Sequence, residues 1–202
     1  MRLLLVGFAL LTLSFSTAMA GPNASATLVL HALPGTAICP YNGPDPCDPG
    51  PPTTTMPSGA GFGIMLFARN YDNLAGVQCA FEFPFPFTFG LWSCQVNQVA
   101  GTTPTGSGTT AGTISTAFDC VTGGATAAIG SLNFATAFPG CATIIESSFP
   151  FATHVISCVG DVDPIPEVNR GMVCVDSPGT DTCEPVVPVE ATTWGSIKAQ
   201  YQ

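Results

Sequence analysis

Chain breakers constrain this sequence more than any other feature. Gly, Pro, Thr and Asn interrupt it again and again, with 22 Gly and 19 Pro in 202 residues. An amphipathic helix needs apolar residues at i, i+3, i+4 and i+7 over roughly 11–18 residues, and no internal stretch of the chain sustains that pattern. A strand needs only a short alternating or apolar run, and such runs lie between the breaks. Strands are expected over residues 26–33, 62–69, 75–83, 87–92, 94–99, 114–118, 127–134, 142–146, 154–159 and 172–175. That spacing predicts an all-β fold, an antiparallel β-sandwich.

Individual runs refine the picture. Residues 62–69 are apolar on both faces, which suits a central strand covered on both sides. Residues 34–60 hold prolines at 34, 40, 44, 46, 49, 51, 52 and 57. Proline donates no ladder hydrogen bond, so this segment is expected to be one long extended loop. Residues 101–113, rich in Gly, Thr and Ser, read as a second surface loop.

Charged residues make up only 8% of the chain, about a third of the usual fraction. Hydrophobic residues reach 46%, so disorder driven by charge is excluded. Four basic residues stand against thirteen acids, a net charge of −9. No basic stripe exists to meet phosphates, and no nucleic-acid partner is expected.

The first twenty residues read as an export signal. Arg2 is the positive start, Leu3 to Ser16 is uncharged and apolar, and Ala18-Met19-Ala20 is a small-x-small cleavage site. Gly21 is then the new N-terminus, with no membrane span after cleavage. The expected location is secreted, extracellular or at the cell surface, with the periplasm as the alternative.

Nine cysteines in an exported chain read as disulfides with one thiol left over. Cys79 is the expected free thiol. It lies on the apolar face of the alternating strand Val77-Gln78-Cys79-Ala80-Phe81, where a cysteine behaves as a small hydrophobe. The other eight are Cys39, Cys47, Cys94, Cys120, Cys141, Cys158, Cys174 and Cys183. Local pairing is the economical expectation: 39 with 47, 94 with 120, 141 with 158, and 174 with 183. Spacing alone fixes no connectivity, and a 158–174 bridge stays open.

The tail differs in texture. Trp194, Ile197 and Tyr201 fall on one helical face, with Thr192 or Thr193 able to cap and Lys198 near the C-terminal end. Residues 185–202 are thus expected to form a short amphipathic C-terminal helix tethered by Pro185 and Pro188 to a domain spanning 21–184.

The strand Asn73-Leu74-Ala75-Gly76-Val77-Gln78-Cys79-Ala80-Phe81-Glu82-Phe83, the later Ile129-Gly130-Ser131-Leu132-Asn133-Phe134, and the tail Thr192-Thr193-Trp194-Gly195-Ser196-Ile197-Lys198-Ala199-Gln200-Tyr201 carry a resemblance. Together they resemble a group of uncharacterised secreted bacterial proteins with a TTWGxIKxxY tail. The core of that group is similar to cohesin-like and immunoglobulin-like sandwiches. The resemblance implies protein–protein docking and brings no catalytic motif.

Candidate sites are few. Phe81, Phe83, Phe85, Phe87 and Phe89 recur at every second residue before Trp92. Such a row is either a core stripe or an exposed ledge for a sugar or a partner surface. On the second reading Phe83, Phe85, Phe87, Trp92 and, in the tail, Trp194 are the binding candidates. Asp161 and Asp163 are the candidate Ca²⁺ ligands, although Pro164 and Pro166 rule out an EF-hand loop; the alternative is a solvated hairpin tip. Asn23-Ala24-Ser25 is formally a glycosylation sequon. His31 and His154 each lie inside a strand, with no nucleophile motif beside them. No cofactor and no catalytic residue is expected. The sequence therefore points to a non-catalytic secreted module for adhesion, surface assembly or protein or glycan binding, acting through loops 34–60 and 101–113. The competing classes are a carboxylate-dependent extracellular hydrolase and a structural coat or matrix component.

Overall fold

The computed structural model describes residues 21–48, 50–83, 89–94, 98–102, 111–122, 126–135, 139–146 and 153–185. Among them lie twelve strands and one 3₁₀ turn, Glu167–Asn169, with no α-helix. In chain order the strands are β1 (Thr27–Pro34), β2 (Thr55–Met56), β3 (Phe62–Arg69), β4 (Asn73–Glu82), β5 (Phe89–Ser93), β6 (Gln98–Thr102), β7 (Ala111–Thr122), β8 (Ala127–Phe134), β9 (Gly140–Ile145), β10 (His154–Ile156), β11 (Val162–Pro164) and β12 (Met172–Val175). The amphipathic tail helix and Trp194 lie outside the described residues.

The strands form two sheets. One has four strands in the order β1-β3-β8-β5. The other has eight, along the path β11-β10-β4-β9-β12-β2, with β7 on the opposite side of β4 and β6 beyond it. All pairings are antiparallel except β2 with β12, which is parallel. The Pro-rich segment therefore contains a strand where only a loop was expected. Thr54, Thr55 and Met56 are free of proline, and their backbone groups pair with β12 and with Cys174 and Asp176.

Alternation explains the core. From the small sheet, Leu28, Leu30, Phe62, Ile64, Leu66, Ile129 and Leu132 point inward; from the large sheet come Leu74, Val77, Cys79, Phe81, Ile114, Ile144 and Val173. Leu74 and Val77 share that face although their spacing is odd, because a bulge between Leu74 and Gly76 shifts the register of β4 against β7. The expected surface loop at 101–113 is corrected at both ends. β6 runs to Thr102 and β7 starts at Ala111, where it pairs with Glu82 of β4. Strand pairing with an aromatic-rich neighbour overrides the low strand preference of Gly.

β3 is buried on both faces. Its outer residues Met65 and Phe67 form a second cluster with Val29, Ala37, Cys94 and Cys183, flanked by Leu33, Cys39, Tyr41 and Cys47. The Pro-rich loop thus lies over the outside of the small sheet as a third layer.

None of the local disulfides forms. The bridges are Cys39–Cys94, Cys47–Cys183, Cys120–Cys158 and Cys141–Cys174, and Cys79 is free and buried. Cys39 lies above β8, near Ser131, where Cys94 leaves β5 and donates its N–H to Ile129. Cys120–Cys158 links β7 to the end of β10, strands that pair with opposite sides of β4. Cys141 and Cys174 sit opposite each other on β9 and β12. Sequence spacing measured proximity along the chain, and sheet order, which crosses over repeatedly, set proximity in space. The loops closed span 33 to 136 residues, worth about 4–5 kcal/mol each in a chain-entropy account.

Candidate functional site

The third layer encloses a cavity against the small sheet. Segment 39–47 is fastened at both ends, by Cys39 to Cys94 and by Cys47 to Cys183. Between these points it arches over β3 and β8. Beneath the arch is a pocket of about 310 Å³, lined by Tyr41, Pro44, Asp45 and Pro46 from the loop and by Phe67, Thr126 and Ala128 from the sheet side.

Each loop side chain has a local reason for its place. The Tyr41 ring meets Phe67 edge-on, with centroids 5.0 Å apart, and its hydroxyl donates to the Pro44 carbonyl at 3.1 Å. Asp45 folds the chain into an Asx turn, its Oδ1 accepting the Cys47 N–H at 2.9 Å. Thr126 Oγ1 donates to Asp45 Oδ2 at 2.5 Å, and Arg69 Nη1 lies 3.7 Å from Oδ1. Burial by itself would raise the pKa of Asp45. The Thr126 hydroxyl, the Cys47 N–H and the Arg69 charge outweigh that effect and hold it below the usual carboxylate value. Burial, then the Asp45 charge, pushes the Tyr41 phenol above its ordinary range. Tyr41 is therefore a neutral aromatic wall and Asp45 a fixed negative charge at physiological pH.

The same loop is clipped to the sheet at its start. Ala37 donates its N–H to Asn133 Oδ1 at 2.7 Å, and Asn133 Nδ2 donates to the Ala37 carbonyl at 3.0 Å. Asn133 is buried, so both bonds form away from water.

A second pocket of about 350 Å³ lies at the end of β9 and is lined by Thr143, Ile144, Ile145, Glu146, Glu167 and Arg170. Arg170 is fixed there by Nε and Nη2 donating to the Ile165 carbonyl at 2.9 and 2.6 Å, and it pairs with Glu146. This pocket gathers two acids, Glu146 and Glu167. One of them is already neutralised by the arginine.

The binding candidates from sequence fare differently. Phe83 is a correction: it is 3% exposed, stacks on Phe81 and meets Phe134 edge-on, so it belongs to the core stripe and not to a ledge. The cause is alternation, since Phe83 continues the inward face of Val77, Cys79 and Phe81. Trp92 lies on β5, opposite Ser131 of β8. Phe85, Phe87 and Trp194 fall outside the described residues.

Asp161 and Asp163 are not brought together as ligands. Asp161 is exposed in a turn closed by Ser157, whereas Asp163 is buried and accepts the Asn23 N–H at 3.0 Å. No group of three or more acids, histidines or cysteines suited to a metal occurs among the described residues. Asp161 is solvated as the tip reading expects, and Asp163 departs from that reading because burial has removed it from water. Asn23 is fully buried, with Oδ1 accepting the N–H groups of Asp72 and Asn73, so its amide is closed to glycosylation in the folded chain. His31 Nδ1 accepts the Thr53 N–H at 3.0 Å, a structural role that ties β1 to the Pro-rich segment.

Sequence reasoning singled out the 34–60 loop but missed Tyr41, Asp45 and Thr126 individually. Tyr41 between Pro40 and Pro44 was a readable signal, an aromatic held in a rigid extended segment. The Thr126 contact joins residues 81 positions apart and had none.

No protein-family model matches the chain, and no curated protein matches it. Among solved structures it is similar to a type II cohesin domain from the cellulosome of Acetivibrio cellulolyticus. The two are 13% identical, the match covers 77% of this chain and 95% of that domain, and the TM-score is 0.37. A likeness this distant assigns the chain to no family. No helix among the described residues is long and apolar enough to cross a membrane.

Proposed function

We propose that this protein is a secreted, non-catalytic binding module whose 39–47 loop docks a partner protein outside the cell. One observation carries the reading: the loop over that pocket is crosslinked at both ends, and the pocket's polar groups are already engaged. Two disulfides fix the ends of the arch, so little conformational entropy remains to be lost on binding. The Tyr41 hydroxyl is committed to Pro44, and the Asp45 oxygens to Cys47, Arg69 and Thr126. A sugar is recognised through many free donors and acceptors, and this pocket offers few. An apolar or aromatic side chain from a partner instead meets the Tyr41 ring, Pro44, Pro46 and the Phe67 floor. Four disulfides fit an oxidising location, and the leader sequence supplies the route to it.

The test is affinity capture from the native secreted fraction, run beside a glycan array, with wild type and Tyr41→Ala. An aromatic anchor of this kind is worth about 2 kcal/mol or more, so binding should weaken by over ~tenfold while circular dichroism stays unchanged. Undiminished capture by Tyr41→Ala would remove the loop from the interface. Glycan binding that Tyr41→Ala abolishes would replace the protein partner with a sugar.

A further inference from the structure

We infer that the folded chain anchors its own processed N-terminus, the α-ammonium group released by cleavage between Ala20 and Gly21 being held by the buried carboxylate of Asp163. This rests on the reading of residues 1–20 as a removable leader. Hydrolysis of that peptide bond by a leader peptidase consumes one water. The hydroxyl goes to the Ala20 carbonyl carbon and the nitrogen leaves with Gly21. The new acid loses a proton and the new amine takes one, giving a carboxylate on the leader and an ammonium on Gly21.

Three observations place that ammonium. Asp163 is 3% exposed, on the edge strand β11. Its Oδ2 accepts the Asn23 N–H at 3.0 Å, so the carboxylate faces the first residues of the mature chain. Gly21 packs directly against it: a β-carbon there would fall 1.8 Å from Oδ1, 2.5 Å from Cγ and 2.7 Å from Oδ2. A side chain at this position would meet the carboxylate end of Asp163, which would have to turn away from the terminus to admit it.

The electrostatics need a cation. A buried carboxylate is costly unless it is paired, and one backbone N–H does not neutralise it. The two ion pairs among the described residues use Asp45 and Glu146, not Asp163. The nitrogen of Gly21 is one bond from the α-carbon that touches the carboxylate. Before cleavage it is a neutral amide; afterwards it is a positive group with three donors. Turn bonds from Ala24 N–H to the Gly21 carbonyl (3.1 Å) and from Ala26 N–H to the Asn23 carbonyl (2.8 Å) hold this end of the chain in place. Leader removal thus completes an ion pair between the new terminus and the hairpin formed by β10 and β11.

The composition makes a clean test, because Lys198 carries the only other amine of the mature chain. The full-length gene is expressed in an exporting host, and the purified protein is sequenced from its N-terminus. It is then acetylated at neutral pH, folded and in urea, and each amine is followed by peptide mass mapping. Gly21 at the N-terminus, with its amine labelled at least about tenfold more slowly in the fold than in urea, is the expected result. Asp163→Asn, which keeps the shape and removes the charge, and Gly21→Ala should each restore fast labelling. A different N-terminal residue would show the leader reading wrong and take the anchor with it. Gly21 found at the terminus but labelled as fast in the fold as in urea would sink the anchor alone.

Discussion

At the scale of single residues, burial decides chemistry. Cys79 is fully buried between the sheets, and desolvation pushes its thiol well above the ordinary cysteine range. A thiol held protonated is a poor nucleophile. A thiol reagent should therefore modify one cysteine per chain, Cys79, at a rate that follows unfolding in a denaturant series. Mass mapping that finds rapid labelling in the native protein would contradict the structure. His31 offers a matching test in pH. Burial lowers its pKa below 6.5, and Nδ1 must be unprotonated to accept the Thr53 N–H. Because the folded-state pKa is depressed, its contribution is complete above about pH 6.5 and is lost as pH falls through the folded value. The Tm of the wild type should fall between pH 7 and pH 5, where most carboxylates are still ionised. His31→Gln, which keeps an acceptor and does not titrate, should flatten that part of the curve.

At the scale of elements, the strands were legible and their partners were not. Residues 62–69 and 127–134 coincide with β3 and β8, because an apolar run between breakers is a local property. β3 is covered on both faces, as its unbroken apolar sequence requires. The disulfides and the contents of the 34–60 segment depend on which strands become neighbours, and no local pattern encodes that. Asn133 shows the difference. In sequence it is a polar residue at the end of a strand, and in space it is the buried clip that receives both backbone groups of Ala37. Asn133→Ala would leave a buried N–H and a buried carbonyl without partners. Such groups cost roughly 1–3 kcal/mol each, so a loss of about 2–6 kcal/mol is expected in urea unfolding. A loss below about 0.5 kcal/mol would mean that the loop does not need the clip.

At the scale of the molecule, the two clusters of buried residues imply two levels of stability. The main core is closed by strand pairing, and Cys120–Cys158 and Cys141–Cys174 lie within its larger sheet. The outer cluster is smaller, and its lid is a proline-rich segment with few ladder bonds. That lid depends on Cys39–Cys94 and Cys47–Cys183, the two bridges that fasten the pocket. Replacing these four cysteines by serine should release the lid and leave the sandwich standing. Regions with few buried contacts open first, and hydrogen exchange reports the opening amide by amide. In the fourfold variant the Ala37 amide, bonded to Asn133, should exchange much faster than in the wild type. The amides of Val77, Cys79 and Phe81 in β4, inside the larger sheet, should keep most of their protection. Binding that depends on Tyr41 should vanish with the lid, because the pocket exists only while the arch is held against Phe67. Equal loss of protection in β4 and at Ala37 would mean that loop and sandwich unfold as one unit, and the 39–47 loop could not then be separated from the fold that carries it.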